Sequence, residues 1–516
     1  MLLAKPHMIP EIDKYAAEVL GIPTRILMQR AAKAVADAVA SSLKKGAKVT
    51  VFAGKGNNGG DGYAAALLLM DDFEVCVYDV FGAGQKSDAG RYFFDAFTSR
   101  GGDVSSLTFD SDTLGKISKS DCVIDAVFGT GFVGEYPREA IMLADILRSL
   151  DTSYKLAIDV PLGVNASDGS VYNDALYHAD ATVALGFVKP GLVSYPAKEY
   201  VGKLIYDNIG LHNDDVLHNF EWLDRLLDYD LASSLIPKRR DNSNKGSFGK
   251  LLMICGSSAF PGAAHLALEA ALRSGVGLVT YLGEKDVCDS LLYKHPETIY
   301  KPFSVNCATD VDLAFLAELS SLHTGVLIGS GSSRSSGLKT VIERLLSIEG
   351  SPVILDADAI NVVAENSEWG RELIRSSPRS VILTPHPLEL SRISGIPTDE
   401  IQSDRLSVAR RFAAQCGCIL VLKGAATVVT DGVRTYINSS GSSALAKAGS
   451  GDVLAGMLAS VVASGTDPLS AAALSVYFHG LAADVLATNL SEFGVTPSDL
   501  PCEIGRQLAK AIKSRK

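Results

Sequence analysis

Short apolar runs that end on a glycine or an aspartate recur along the chain, and stretches with helical spacing separate them. Lys48-Val49-Thr50-Val51-Phe52-Ala53, Cys122-Val123-Ile124-Asp125-Ala126, Leu156-Ala157-Ile158-Asp159 and Ala181-Thr182-Val183-Ala184-Leu185 predict buried strands. Ile9 to Ser41 predicts two helices broken at Gly21-Ile22-Pro23, the second amphipathic through Ile26, Leu27, Ala31, Val35 and Val39. Tyr63 to Met70 predicts a helix following the loop Gly54 to Gly62, and Val201 to Asp207 closes this first series. A second series begins at Lys250-Leu251-Leu252-Met253-Ile254. It continues through Gly325 to Gly329, Pro352 to Asp356, Ser380 to Thr384 and Cys418 to Lys423. Asp431-Gly432, between Thr427 to Thr430 and Arg434 to Ile437, signals a hairpin, so this sheet is mainly parallel with one antiparallel edge. The polar stretch Pro237 to Ser247 follows a junction near Asn213 to Leu227. The expectation is an α/β chain of two domains, 1–218 and 227–516, each a three-layer sandwich and the first Rossmann-like.

Composition narrows the classes. With 516 residues, 47% hydrophobic and 21% charged, the chain is globular with ample core. A net charge of -11 argues against nucleic acid or an anionic membrane as a partner. The eight cysteines are scattered, several in apolar runs, and Cys416-Gly417-Cys418 lacks the spacing of a zinc site. Buried thiols in a reducing cytoplasm are expected. The first residues do not resemble a signal peptide, and no run approaches the roughly 20 apolar residues that span a bilayer. A homo-oligomer is expected.

Polar residues gather at the predicted strand ends, where an open parallel sheet binds its ligands. Gly54, Gly56 and Gly59 satisfy G-x-G-x-x-G, with Asp79 about 20 residues on, as a nicotinamide-binding fold requires. Asn57, Asn58 and Asp61 are more polar than a pyrophosphate loop needs, and their oxygens suit a hard cation or hydroxyl groups. Asx turns in a surface loop are the alternative explanation. Asp125 before Gly129-Thr130-Gly131, and Asp159 before Val160-Pro161, repeat the arrangement. In the second series Gly329-Ser330-Gly331 opens space for a ligand, and Asp356 and Asp358 suit magnesium or a helix cap. His386 lies between two prolines, and Lys423-Gly424 sets a cation beside a close-approach glycine. Gly449-Ser450-Gly451-Asp452 leads into a helix whose unpaired amides favour an anion. Asp452 either caps that helix or moves a proton there.

Asn57-Asn58-Gly59-Gly60-Asp61-Gly62, Asp125 to Gly131 and Ile158-Asp159-Val160-Pro161 resemble the motifs of NAD(P)H-hydrate epimerase domains. The resemblance implies that Asn57, Asn58, Gly59, Gly60 and Asp61, with Gly129, Thr130, Gly131, Phe132, Val133, Gly134 and Glu135, cradle a hydrated nicotinamide nucleotide. It makes Asp159 the acid/base residue, also in contact with the hydrate, and gives Asn58 and Asp125 a potassium ion. Leu162 replaces the serine usual in that family, so its side chain supplies no ligand. From Leu227 onward, four motifs resemble ADP- or ATP-dependent NAD(P)H-hydrate dehydratase domains of ribokinase-like fold. They are Leu355 to Asn361, Thr384 to Pro387, Lys423 to Thr427 and Ala448 to Leu454. That resemblance places Ala263, Gly331, His386 and Asp452 on the hydrate, and Lys423, Gly424, Ala425, Ala426, Thr427 and Gly451 on ADP or AMP.

Together the halves imply nicotinamide-nucleotide repair. One site interconverts the R and S hydrates of NADH or NADPH. The other phosphorylates the S hydrate from ADP (or ATP) with magnesium, so that phosphate leaves, AMP (or ADP) is released and the dihydronicotinamide returns. Two alternatives stay open: a ribokinase-like vitamin or small-molecule kinase fused to a dinucleotide-binding domain, and a nicotinamide dehydrogenase.

Overall fold

A computed structural model describes residues 1–82, 86–132, 134–151, 153–211, 214–222, 224–305 and 308–515, without the side chains of 214 and 215. The chain forms two compact units, one spanning Leu2–Asp224 and one running from Arg225 to the C-terminus.

In the first unit, strands stand in the order Asp103–Ser106, Glu74–Asp79, Lys48–Ala53, Cys122–Ala126, Tyr154–Ile158, Ala181–Leu185 and Lys203–Asp207. Each neighbouring pair is parallel. Side chains alternate across a strand, and here both faces are apolar. Val49, Val51 and Ala53 enter a core shared with helices Thr24–Ser42, Asn57–Leu69 and Asp88–Ser99, whereas Phe52 enters a second core with helix Arg138–Ser149. The result is the expected helix–sheet–helix sandwich.

The helix after the glycine turn starts at Asn57, not at Tyr63, so Asn57, Asn58 and Asp61 lie in its first turns. Gly56 caps it in an extended conformation. A Cβ at Gly59 would lie 2.0 Å from the Gly54 carbonyl oxygen, and one at Gly60 would lie 2.9 Å from Gly90 Cα. Only glycine lets this helix begin so close to the strand that feeds it.

In the second unit the strands run Thr435–Asn438, Val428–Thr430, Ile419–Leu422, Val381–Leu383, Val353–Leu355, Gly325–Ile328, Lys250–Ile254, Leu278–Gly283 and Ile299–Pro302. All pair in parallel except the hairpin edge, where Val428–Thr430 is antiparallel to both neighbours. Leu251 and Met253 join a core with helices Pro261–Arg273, Ser450–Ala463 and Pro468–Gly494. Leu252 and Ile254 are buried on the other face of the strand. Helix Pro468–Gly494 corrects one expectation: it is long and apolar enough to cross a bilayer by composition. Most of its apolar window is buried inside the fold, which explains the hydropathy as that of a core helix.

Helix Ser450–Ala463 presses on Pro261–Arg273 at Gly456, where a Cβ would lie 2.0 Å from the Ala267 carbonyl oxygen. Gly456→Ala is expected to destabilise the unit by about 2 kcal/mol through overpacking. Urea unfolding followed by far-UV ellipticity checks this, and an unchanged midpoint contradicts it.

Candidate functional sites

The first unit has a cavity of about 590 Å³ at the C-terminal ends of its strands. Asn57, Asn58, Asp61, Gly129, Thr130, Gly131, Phe132 and Asp159 all line it, although they come from three separate βα connections. Gly59 and Gly60 are not in its wall, because their missing side chains serve helix packing. Gly134 and Glu135 lie farther along an exposed loop and are likewise outside the wall, and Val133 lies outside the described residues. Asp13, Lys55 and Lys189 also line the cavity, although no sequence motif marks them.

Asp159 follows strand Tyr154–Ile158 with φ +67, a conformation uncommon for a residue with a side chain. Its Oδ1 pairs with the Lys189 ammonium and accepts from the Leu185 amide at 3.3 Å. Lys189 is buried and also donates to the Leu185 carbonyl at 2.9 Å. Desolvation pushes the Asp61 carboxyl well above the usual range, and the charges of Asp159 and Asp13 add to it. Asp13 is raised to about 6, mainly by desolvation, with Lys189 opposing and Asp159 assisting.

Asp125 is buried, and it accepts from the Leu162 amide at 2.7 Å, Tyr177 Oη at 3.1 Å and the Val127 amide at 3.1 Å. Burial still raises its pKa to about 6 against those bonds. Asn58 Nδ2 donates to the Phe128 carbonyl at 2.7 Å, while its buried Oδ1 has no partner among the described residues. The Leu162 side chain turns into the apolar core beside Phe52 and Val127. Asp79 is occupied by Lys86, at 2.6 Å, and by Tyr63 Oη. Both charged side chains of that pair are buried, so the acidic residue required by the dinucleotide reading is committed inside the fold.

In the second unit, Asp356 is the hub. Its Oδ2 accepts from Ser330 Oγ at 2.8 Å, and its Oδ1 accepts from Thr384 Oγ1 at 2.6 Å and Lys423 Nζ at 3.1 Å. Lys423 also faces Glu389 at 3.9 Å. Desolvation lowers the pKa of Lys423, but Asp356, Glu389 and Asp452 more than restore it, so it stays charged. Glu389 closes a capping box with His386: it accepts from the His386 amide at 2.9 Å, and its own amide donates to His386 Nδ1 at 3.3 Å. His386 is pulled below its usual pKa, first by desolvation. Asp358 accepts from the Ser333 amide at 2.9 Å. Ala263 and Gly331 adjoin, since a Cβ at Gly331 would lie 2.5 Å from that of Ala263.

Gly449, at φ +101, is the N-cap of helix Ser450–Ala463, so Asp452 lies within the first turn and makes no capping bond. A Cβ at Gly451 would lie 3.5 Å from Lys423 Nζ, which puts the ammonium beside the helix N-terminus. Desolvation and the Asp356 charge raise Asp452 to about 7, with Lys423 opposing them. Gly424 and Ala425 are exposed, and Ala426 and Thr427 turn inward, with Thr427 Oγ1 bonded to the Gly424 carbonyl at 2.8 Å. Arg405, which no sequence motif singles out, donates to the Leu422 and Lys423 carbonyls at 3.1 Å and holds this turn.

A carboxyl with a raised folded pKa binds its proton more tightly folded than unfolded. Stability is therefore lost as pH rises from about 4 through about 7. Asp452→Asn is expected to stabilise the unit by about 2 kcal/mol at pH 8, with the gain vanishing near pH 4. Urea midpoints at the two pH values measure it, and equal midpoints at pH 8 contradict it.

The family model for NAD(P)H-hydrate dehydratase matches residues 251–506, and that for the YjeF-related protein N-terminus matches residues 24–191. A ribokinase-like superfamily protein from Enterococcus faecalis superposes with a TM-score of 0.50 at 26% identity, over 57% of this chain and 98% of its own. The bifunctional NAD(P)H-hydrate repair enzyme Nnr of Coxiella burnetii is 33% identical over 97% of this chain and 98% of that protein. The enzyme of the same name from Moorella thermoacetica is 32% identical over 97% of this chain and 95% of its own length. The chain belongs to the family of bifunctional NAD(P)H-hydrate repair enzymes.

Proposed function

We propose that residues 1–218 epimerise the R and S hydrates of NADH and NADPH, and that residues 227–516 dehydrate the S hydrate with ADP or ATP. The observation that carries this reading is Asp452, an uncapping carboxylate raised to about 7 beside the Lys423 ammonium and a helix N-terminus. A base poised near neutral pH takes the proton of an alcohol, while the ammonium and helix amides hold the incoming phosphoryl group. Ala263, Gly331 and His386 border the hydrate, and Lys423 to Thr427 with Gly451 border the nucleotide. The phosphorylated hydroxyl then leaves as phosphate, the adjacent ring carbon gives up a proton so that the ring double bond returns, and AMP or ADP is released. A vitamin kinase would use the same carboxylate but keep its phosphorylated product.

No group of three or more His, Cys, Asp or Glu side chains able to hold a metal converges among the described residues. Magnesium would be held mainly by the nucleotide phosphates, where it would offset the charge of the transferred phosphoryl group.

In the first unit, Asp159 exchanges protons with the hydrate while Lys189 fixes its orientation. The unpartnered Asn58 Oδ1 and the desolvated Asp125 carboxylate fit a potassium ion, which when bound supplies positive charge beside the hydrate. Leu162 contributes only its amide, to Asp125.

Pure R and S hydrates, assayed with and without ADP, test the reading through the returning dihydronicotinamide absorbance, released phosphate and epimer ratio. Asp452→Ala is expected to lower dehydration by about 1000-fold and to spare epimer exchange, while Asp159→Ala does the reverse. Equal loss of both activities in either variant overturns two independent sites. Epimer exchange is also expected to run several-fold faster in potassium than in an equal concentration of tetramethylammonium chloride, and equal rates remove the potassium site.

A further inference from the structure

The first cavity holds a carboxyl group to which the reading above gives no task. Helix Ile9–Glu18 buries Ile12 and Ala16, and between them Asp13 reaches the cavity wall. There it meets the field of Asp159 and Asp61, from two other elements, and of Lys189. Lys55 completes the charged groups of the wall. The Lys189 ammonium is committed to Asp159 and to the Leu185 carbonyl. Lys55 is exposed, so Lys189 is the buried cation of this wall among the described residues. With it committed to Asp159, the other two carboxyls hold their protons more tightly than they would in water.

We propose that Asp13 is a second catalytic residue of this cavity, the proton donor that works opposite Asp159; this rests on the epimerase reading. The carbon that carries the hydrate's hydroxyl is bonded to the ring nitrogen. Asp159 takes the hydroxyl proton, and an oxygen electron pair forms a carbonyl. The carbon–nitrogen bond breaks, its electron pair goes to nitrogen, and Asp13 delivers its proton there. The ring-opened aldehyde turns about the carbon–carbon bond next to its carbonyl. Closure on the opposite face returns the nitrogen proton to Asp13 and the Asp159 proton to oxygen, so atoms and charges balance without another reagent. Asp61, which is desolvated and raised by both Asp159 and Asp13, keeps its proton through the cycle. Asp13, held up to about 6, is the carboxyl able to give and regain one.

The full chain, supplied with each pure epimer and followed by chromatography of the epimer ratio, tests this. Asp13→Asn is expected to reduce kcat for exchange by about 100-fold with KM changed less than about threefold, and Asp13→Glu to recover at least about a tenth of the rate. Wild-type kcat/KM for exchange is expected to fall as pH rises through about 6, and Asp13→Asn to lack that inflection. Exchange by Asp13→Asn at the wild-type rate, or a loss confined to KM, overturns the proposal. So does a wild-type profile flat between about pH 5 and 7, which decides the matter even if the Asn variant unfolds. A wild-type protein that leaves the epimers unexchanged removes the epimerase reading and this proposal with it, whereas exchange that ignores Asp13 removes the proposal alone.

Discussion

Each sheet gathers more carboxylates than buried cations at a partly desolvated rim, and the raised carboxyl pKa values of both units follow from that imbalance. Asp13, Asp61 and Asp159 surround Lys189 in one. Asp356, Glu389 and Asp452 surround Lys423 in the other. Negative charge in such a place is unfavourable unless it is paired or protonated. In each case one carboxylate takes the ammonium and a neighbour is left with a raised pKa. Asp159 fills the first role in its unit and Asp13 and Asp61 the second, while Asp356 and Asp452 divide the roles in the other unit. The same field that destabilises these groups as anions makes them useful at neutral pH.

The arrangement holds because the backbone beneath it is over-determined. Parallel strands flanked by two apolar cores bring their C-terminal ends to one level, so residues distant in the chain share a rim. Positive φ at Asp159 and at Ala357, which joins Asp356 to Asp358, aims those side chains at a local energetic cost that the packed sheet sustains. Glycines remove Cβ atoms where a helix must start or cross close to other backbone, as at Gly59 against Gly54 and Gly456 against Ala267. Arg405 supports the Lys423 turn through two carbonyls, and Gly449 is the N-cap of the helix whose first turn carries Asp452.

The two α/β series, the hairpin at Asp431-Gly432 and the glycine-bounded strand ends follow from apolar runs and turn residues, whose effects are local, and they are legible without coordinates. The motifs around Asn58, Asp125, Asp159, Lys423 and Asp452 are legible for the same reason, since each is a short run with a distinctive composition. What tertiary structure alone decided is charge and company. Nothing in the run Ile9 to Glu18 distinguishes Asp13 from a solvated helix position, because its neighbours Asp61 and Lys189 arrive from far along the chain. The helix that begins at Asn57 rather than Tyr63 depends on how Gly59 and Gly60 fit against Gly54 and Gly90. That Gly134 and Glu135 stand off the cavity wall is likewise a matter of loop path. Sequence determined which residues end each strand, since hydrophobic period and turn chemistry act over a few positions. Only the fold decided which carboxylates would share one desolvated space and which of them would find the cation, because electrostatic coupling depends on distance and exposure, and neither is a property of neighbours in the chain.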